Sequence, residues 1–142
     1  VKVKVEIKGL AEVNKALNST IAKYPGATLA GLIEIGLKIQ RDAQERVPVW
    51  LGKLKASAYT RKAIDHPSAV EVGFTAAYAA AVHENVEMKL AGKPRPNRKG
   101  HPKGTVYWGP KGEAKFLEKA VRRAEQGLAR GLANSVKKRV KK

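Results

Sequence analysis

Apolar residues keep helical spacing in two long stretches of this chain, and whatever lies between them must fold so as to cover both. Leu29, Leu32, Ile33, Gly36, Ile39, Ala43 and Val47 line one face of a helix predicted over residues 27–46. Phe116, Leu117, Ala120, Val121, Ala124, Leu128, Leu132 and Val136 line a second, beginning near residue 114. Pro48 stops the first helix, because the residue before a proline is driven out of helical geometry. Upstream of the turn signal Pro25-Gly26, Leu10, Val13, Leu17, Ile21 and Tyr24 predict a further amphipathic helix. Before that, Val1, Val3, Val5 and Ile7 alternate with Lys2, Lys4, Glu6 and Lys8, the period of a half-buried strand that Gly9 ends.

The middle of the chain reads as β structure. Residues 54–64 and 69–74 are predicted strands, and the intervening His66-Pro67-Ser68 turn makes them a hairpin. Residues 76–84 are alanine-rich and predict a short helix. Residues 89–113 then lose all periodicity. Pro94, Pro96, Pro102 and Pro110 interrupt them, and Lys89, Lys93, Arg95, Arg98, Lys99, Lys103 and Lys111 make them a long basic loop, with Val106-Tyr107-Trp108 a short strand inside it. Residues 137–142 form a basic tail, whose cations suit the C-terminal end of a helix dipole. The order β-α-α-β-β-α-loop-α predicts one α+β domain over residues 1–142. A small antiparallel sheet would pack against two or three helices, with a long basic loop and a long C-terminal helix.

Charge bounds the partners. Lys and Arg number 29 against 12 Asp and Glu, a net charge of +17. Such a chain attracts polyanions: nucleic acid, an anionic membrane or an acidic protein face. Hydrophobic residues make up 43%, enough for a packed core. There is no cysteine, hence no disulfide, thiolate metal site or cysteine nucleophile. No apolar run approaches the roughly 20 residues that cross a bilayer, and the N-terminal alternation is unlike a secretory leader. No membrane partner is expected.

Candidate chemistry is sparse. His66, His83 and His101 stand in three different contexts, and His83-Glu84 is the one His–acid neighbour pair. Adjacent helical residues are expected to face apart, so that pair is not expected to work as a dyad. No HExxH, GxSxG or Cys/His metal spacing occurs, and Gly100, Gly104, Gly109 and Gly112 do not follow a strand and open a helix as a phosphate-binding loop would. The expectation is a chain with no catalytic residue, no metal and no cofactor. The basic residues around Tyr107 and Trp108 fit either an arm that orders on a protein partner or a clamp on a nucleic-acid backbone.

Three segments together resemble a known family. The first is Arg46-Val47-Pro48-Val49-Trp50-Leu51-Gly52-Lys53-Leu54-Lys55-Ala56-Ser57, the second runs from Val72-Gly73-Phe74 through Tyr78-Ala79 to His83-Glu84, and the third is Lys115-Phe116-Leu117-Glu118-Lys119-Ala120. Their order and spacing resemble the neck and tail-completion proteins of long-tailed phages, which join head to tail and are also called minor capsid proteins. On that resemblance Pro48, Gly52, Leu54, Ser57, Gly73, Tyr78, Glu84, Phe116 and Leu117 are structural positions. Pro48 ends the helix, Gly52 takes a turn conformation, Leu54 and Ser57 open the strand, Tyr78 buries its ring, and Glu84 caps or braces the start of the basic loop. Trp50-Leu51 stand where relatives carry a small polar pair. That exposed apolar pair and the basic loop, with Lys89, Lys93, Arg95, Arg98, Lys99, Lys103, Tyr107 and Trp108, are the candidate protein interface.

The resemblance implies a homo-oligomeric ring, commonly six-fold, in the virion neck or tail, assembled in the host cytoplasm. Its partners would be copies of itself, head-closure or connector proteins, and tail-tube or terminator proteins, with non-specific contact to packaged DNA. A tail terminator capping the tube is the alternative within that family. A basic DNA-binding protein is the alternative outside it.

Overall fold

The computed structural model describes residues 22–49, 52–87, 89, 92–94 and 111–141. The predicted N-terminal strand, nearly all of the helix after it, and the strand at Val106-Tyr107-Trp108 lie outside the described residues.

The first long helix, α1, runs Pro25–Arg46. Pro25 occupies its first turn, where its fixed φ suits the helix and its missing N–H costs nothing. Val47 leaves the helix with φ −64° and ψ 131°, the extended geometry that Pro48 imposes. The buried face differs from the predicted stripe in its N-terminal half. Thr28, Gly31 and Ile35 are buried there, while Leu29, Leu32 and Ile33 are only half-buried. Two glycines explain the rotation. A methyl at Gly31 would stand 2.8 Å from Leu132, and one at Gly36 would stand 2.7 Å from Thr60, so α1 is gripped closely on two sides.

Gly52, at φ +76°, starts a single helical turn, α2 (Lys53–Ala56). The sequence predicts a strand from Leu54, but the strand begins only at Ala58. Lys-Leu-Lys-Ala are good helix formers. The Gln44 side chain donates to the Lys55 carbonyl at 2.8 Å, and the Ser57 hydroxyl donates to the Leu54 carbonyl at 2.8 Å, which together hold the turn. Leu54 is a core residue of this turn, and Ser57 closes it. The hairpin follows as β1 (Ala58–Lys62) and β2 (Val70–Phe74), antiparallel, with Ala58 opposite Phe74 and Lys62 opposite Val70. Thr60, Val70 and Val72 face α1 across Gly36. On the other face the Tyr59 ring lies over Gly73, Arg61 stacks 4.9 Å from that ring, and Arg61 donates to Glu71 at 3.0 Å.

A short helix, α3 (Ala79–Glu84), starts three residues later than predicted, because residues 76–78 form the turn into it. The last helix, α4 (Phe116–Val140), runs antiparallel to α1: Glu34 meets Ser135, Asp42 meets Arg123, and Arg46 meets Glu113. The core joins Ile35, Ile39, Ala43 and Val47 of α1 and its end to Leu54, Phe74, Ala79, Phe116, Leu117, Ala120, Val121, Leu132 and Val136. This is the predicted α+β class, with a small antiparallel sheet against helices and a long C-terminal helix.

Candidate functional site

The three sequence segments singled out above are far apart in the chain, and the fold brings them to one junction. Glu113 N–H donates to the Arg46 carbonyl at 2.9 Å, tying the approach to α4 to the end of α1. Thr75 N–H donates to the Ser57 carbonyl at 2.9 Å, tying β2's exit to the α2 turn. Lys115 N–H donates to the His83 carbonyl at 2.8 Å, tying α4's start to α3. At the centre, the Phe116 ring makes edge contacts with Phe74 at 5.1 Å and with His83 at 5.0 Å between centroids.

The predicted positions take distinct places here. Pro48, Leu54, Gly73, Phe116 and Leu117 are buried, and Gly52 holds its left-handed turn. Tyr78 does not bury its ring: it is 47% exposed, because the inward face of α3 belongs to Ala79 and His83. Glu84 pairs its carboxylate with Lys115 at the head of α4, just beyond the end of the basic loop.

His83 and Glu84 meet, contrary to the expectation for helix neighbours. His83 Nδ1 lies 3.0 Å from Glu84 Oε1, and the ring is 2% exposed. Glu84 is the last residue of α3, so its side chain is released to fold back over the ring. A carboxylate only accepts, so Nδ1 donates, and Nε2 accepts the Glu118 N–H at 3.4 Å. Nε2 thereby ties α3 to α4, while Nδ1 orients the Glu84 carboxylate that pairs with Lys115.

Electrostatics surround this junction. Asp42 accepts from Arg123 at 2.7 Å and from Arg46 at 3.1 Å. Glu113 pairs with Lys119 at 2.9 Å and reaches Arg123 at 3.5 Å. Partial burial pushes the Asp42 carboxyl up, but Arg123 and Arg46 outweigh it and leave it below its ordinary value. The Lys115 ammonium, then His83, hold Glu84 below the usual carboxylate range, and Glu84 in turn raises Lys115. At the far end of α4, the Ser135 hydroxyl lowers Glu34 against an opposing effect of burial, and Arg139 and Lys38 lower it further. Of these groups only Glu84 was singled out in the sequence, where the partners stand up to 105 positions away.

Of the candidate interface residues, Lys89 and Lys93 are described. They line an open cleft of about 410 Å³ with Val86, Glu113, Lys115 and Lys119, where the basic loop leaves α3 and returns to α4. Trp50, Leu51, Arg95, Arg98, Lys99, Lys103, Tyr107 and Trp108 lie outside the described residues. Exposed apolar side chains that the sequence did not single out are Ile64 at the hairpin tip (76%), Val86 after α3 (61%) and Leu37 on α1 (51%). Among the described residues no group of three His, Asp or Glu side chains could hold a metal ion, and no helix is long and apolar enough to cross a membrane. Comparison with protein-family models, with curated proteins and with solved structures returns no match for this chain.

Proposed function

We propose that this chain is a structural virion protein that assembles as a ring in the neck of a long-tailed phage and joins the head to the tail. The observation that carries the reading is the junction. The three segments whose order and spacing resemble neck and tail-completion proteins pack together, with Phe116 against Phe74 and His83, and backbone hydrogen bonds join the second segment to the first and to the third. Their burial gives these motif residues a packing role.

The function is mechanical. Ring closure from identical subunits requires one patch of the surface to meet a different patch on the neighbour. The exposed residues Ile64, Tyr78 and Val86 supply anchors for such contacts, and Trp50, Leu51 and the basic residues of positions 89–113 are further candidates taken from the sequence.

Particles assembled without this protein test the reading. DNA-filled heads accumulating beside free, completed tails are expected, and restoration by added wild-type protein but not by Trp50→Ala/Leu51→Ala. Normal particles in its absence would overturn the reading. Binding of purified rings to tail tubes but not to filled heads would move the assignment to the terminator.

A further inference from the structure

Cations on α4 are sorted along its length. In the first half, Lys119, Arg122 and Arg123 are held by Glu113, Glu118 and Asp42. In the second half Arg139 is held by Glu34 on the α1 side, whereas Arg130, Lys137, Lys138 and Lys141 are exposed and have no carboxylate within ion-pair distance among the described residues. Gln126, Arg130, Asn134, Lys137 and Lys141 follow at steps of four, four, three and four, so they form one stripe, and all are exposed. It runs roughly 22 Å at the helical rise of about 1.5 Å per residue. It points away from α1, because Leu132, Ser135 and Val136 occupy the packed side.

Helix-dipole stabilisation accounts for cations in the last turn only, since the effect fades within that turn. Arg130 stands two turns earlier. The stripe also contains neither an acid nor an apolar side chain. Protein interfaces are built around buried aromatic or aliphatic anchors, and among the described residues the large exposed apolar side chains lie elsewhere, with only Val140 and the small Ala133 on the stripe's flank. A phosphate backbone needs no such anchor: Lys and Arg displace its counterions, and Asn and Gln donate to its oxygens.

We infer that this stripe of α4 is a docking surface for the phosphate backbone of duplex DNA, contacted by Arg130, Lys137 and Lys141 with Gln126 and Asn134 donating between them. The choice of DNA among nucleic acids rests on the neck assignment; the stripe itself does not. The test is a titration of the purified full chain with a short labelled duplex of arbitrary sequence, at several salt concentrations. Arg130→Ala/Lys137→Ala/Lys141→Ala is expected to weaken binding by about tenfold or more and to flatten the slope of log K against log salt by about 2 to 3, near 0.9 per phosphate contact. Arg41→Ala/Lys53→Ala/Lys62→Ala removes the same charge from exposed positions elsewhere and is expected to cost less than about threefold. Arg130→Lys/Lys137→Arg/Lys141→Arg is expected to bind like wild type.

Equal losses in the two alanine variants, or no loss in the first, would overturn the inference. So would a polyglutamate peptide competing as well as the duplex, which would assign the stripe to an acidic protein. Sedimentation of the same variants keeps the two readings apart. Intact rings that lose DNA on stripe substitution uphold both, whereas stripe-dependent DNA binding by a chain that never forms rings upholds the stripe and removes the neck assignment.

Discussion

At Gly36 a methyl group would stand 2.7 Å from Thr60 Cγ2, 3.1 Å from Val70 Cγ1 and 3.3 Å from Val72 Cγ2. The hairpin therefore rests directly on the backbone of α1. The Thr60 hydroxyl fixes the register by donating to Gln40 Oε1 at 2.6 Å. Gly36→Ala must push β1 and β2 outward, and it is expected to cost about 1–3 kcal/mol, the usual range for overpacking. A denaturant titration checks this: the midpoint should fall with the slope unchanged. The acids at the helix pair carry a pH signature. Asp42 lies below its ordinary value of 3.8, so its pairing with Arg123 and Arg46 stabilises the fold above that value and is lost as pH falls through the lowered one. Asp42→Asn should therefore melt below wild type at neutral pH, and the gap should close in acid. Lys115 has the opposite sign: raised from 10.5, it contributes below that value, and its contribution is lost as alkaline pH passes the raised one.

Among the elements, the start of α4 holds a conformation that its residue resists. Lys115 is the one non-glycine residue with positive φ among those described, at 55°. Its N–H is anchored on the His83 carbonyl and its ammonium on Glu84. Lys115→Ala and Lys115→Gly both remove the ion pair, but only glycine relieves the backbone. Glycine is also the better residue at a helix N-cap. The alanine variant is expected to be less stable than the glycine variant by about 1 kcal/mol, measured by chemical unfolding. Equal stability would show that the left-handed geometry is not strained.

The periods of apolar residues made α1, α4 and the hairpin legible in the sequence, and Pro48 and Gly52 marked the break between them. The α2 turn was not legible. Leu54 and Ser57 alternate like strand residues, and the Gln44 side chain that holds the turn reaches Lys55 from another element. The Glu84 contact to Lys115 was hidden for the same reason, since the two stand 31 positions apart. Tyr78 misled because its ring could bury, yet the turn into α3 gives the inward positions to Ala79 and His83. The interface candidates rest on residue chemistry alone, because a contact between two chains leaves no period in one.

For the molecule as a whole, net charge and exposed apolar surface act in opposite directions on self-association. A net charge of +17 keeps isolated chains apart at low salt. Ile64, Val86 and Leu37 offer apolar area that water does not favour. Raising salt screens the first effect and leaves the second, so self-association is expected to strengthen with ionic strength. Negative-stain electron microscopy of the purified chain at moderate salt tests the central claim most directly. The account predicts closed rings of uniform diameter with a central hole, and a chain that stays monomeric at every concentration and salt would contradict it.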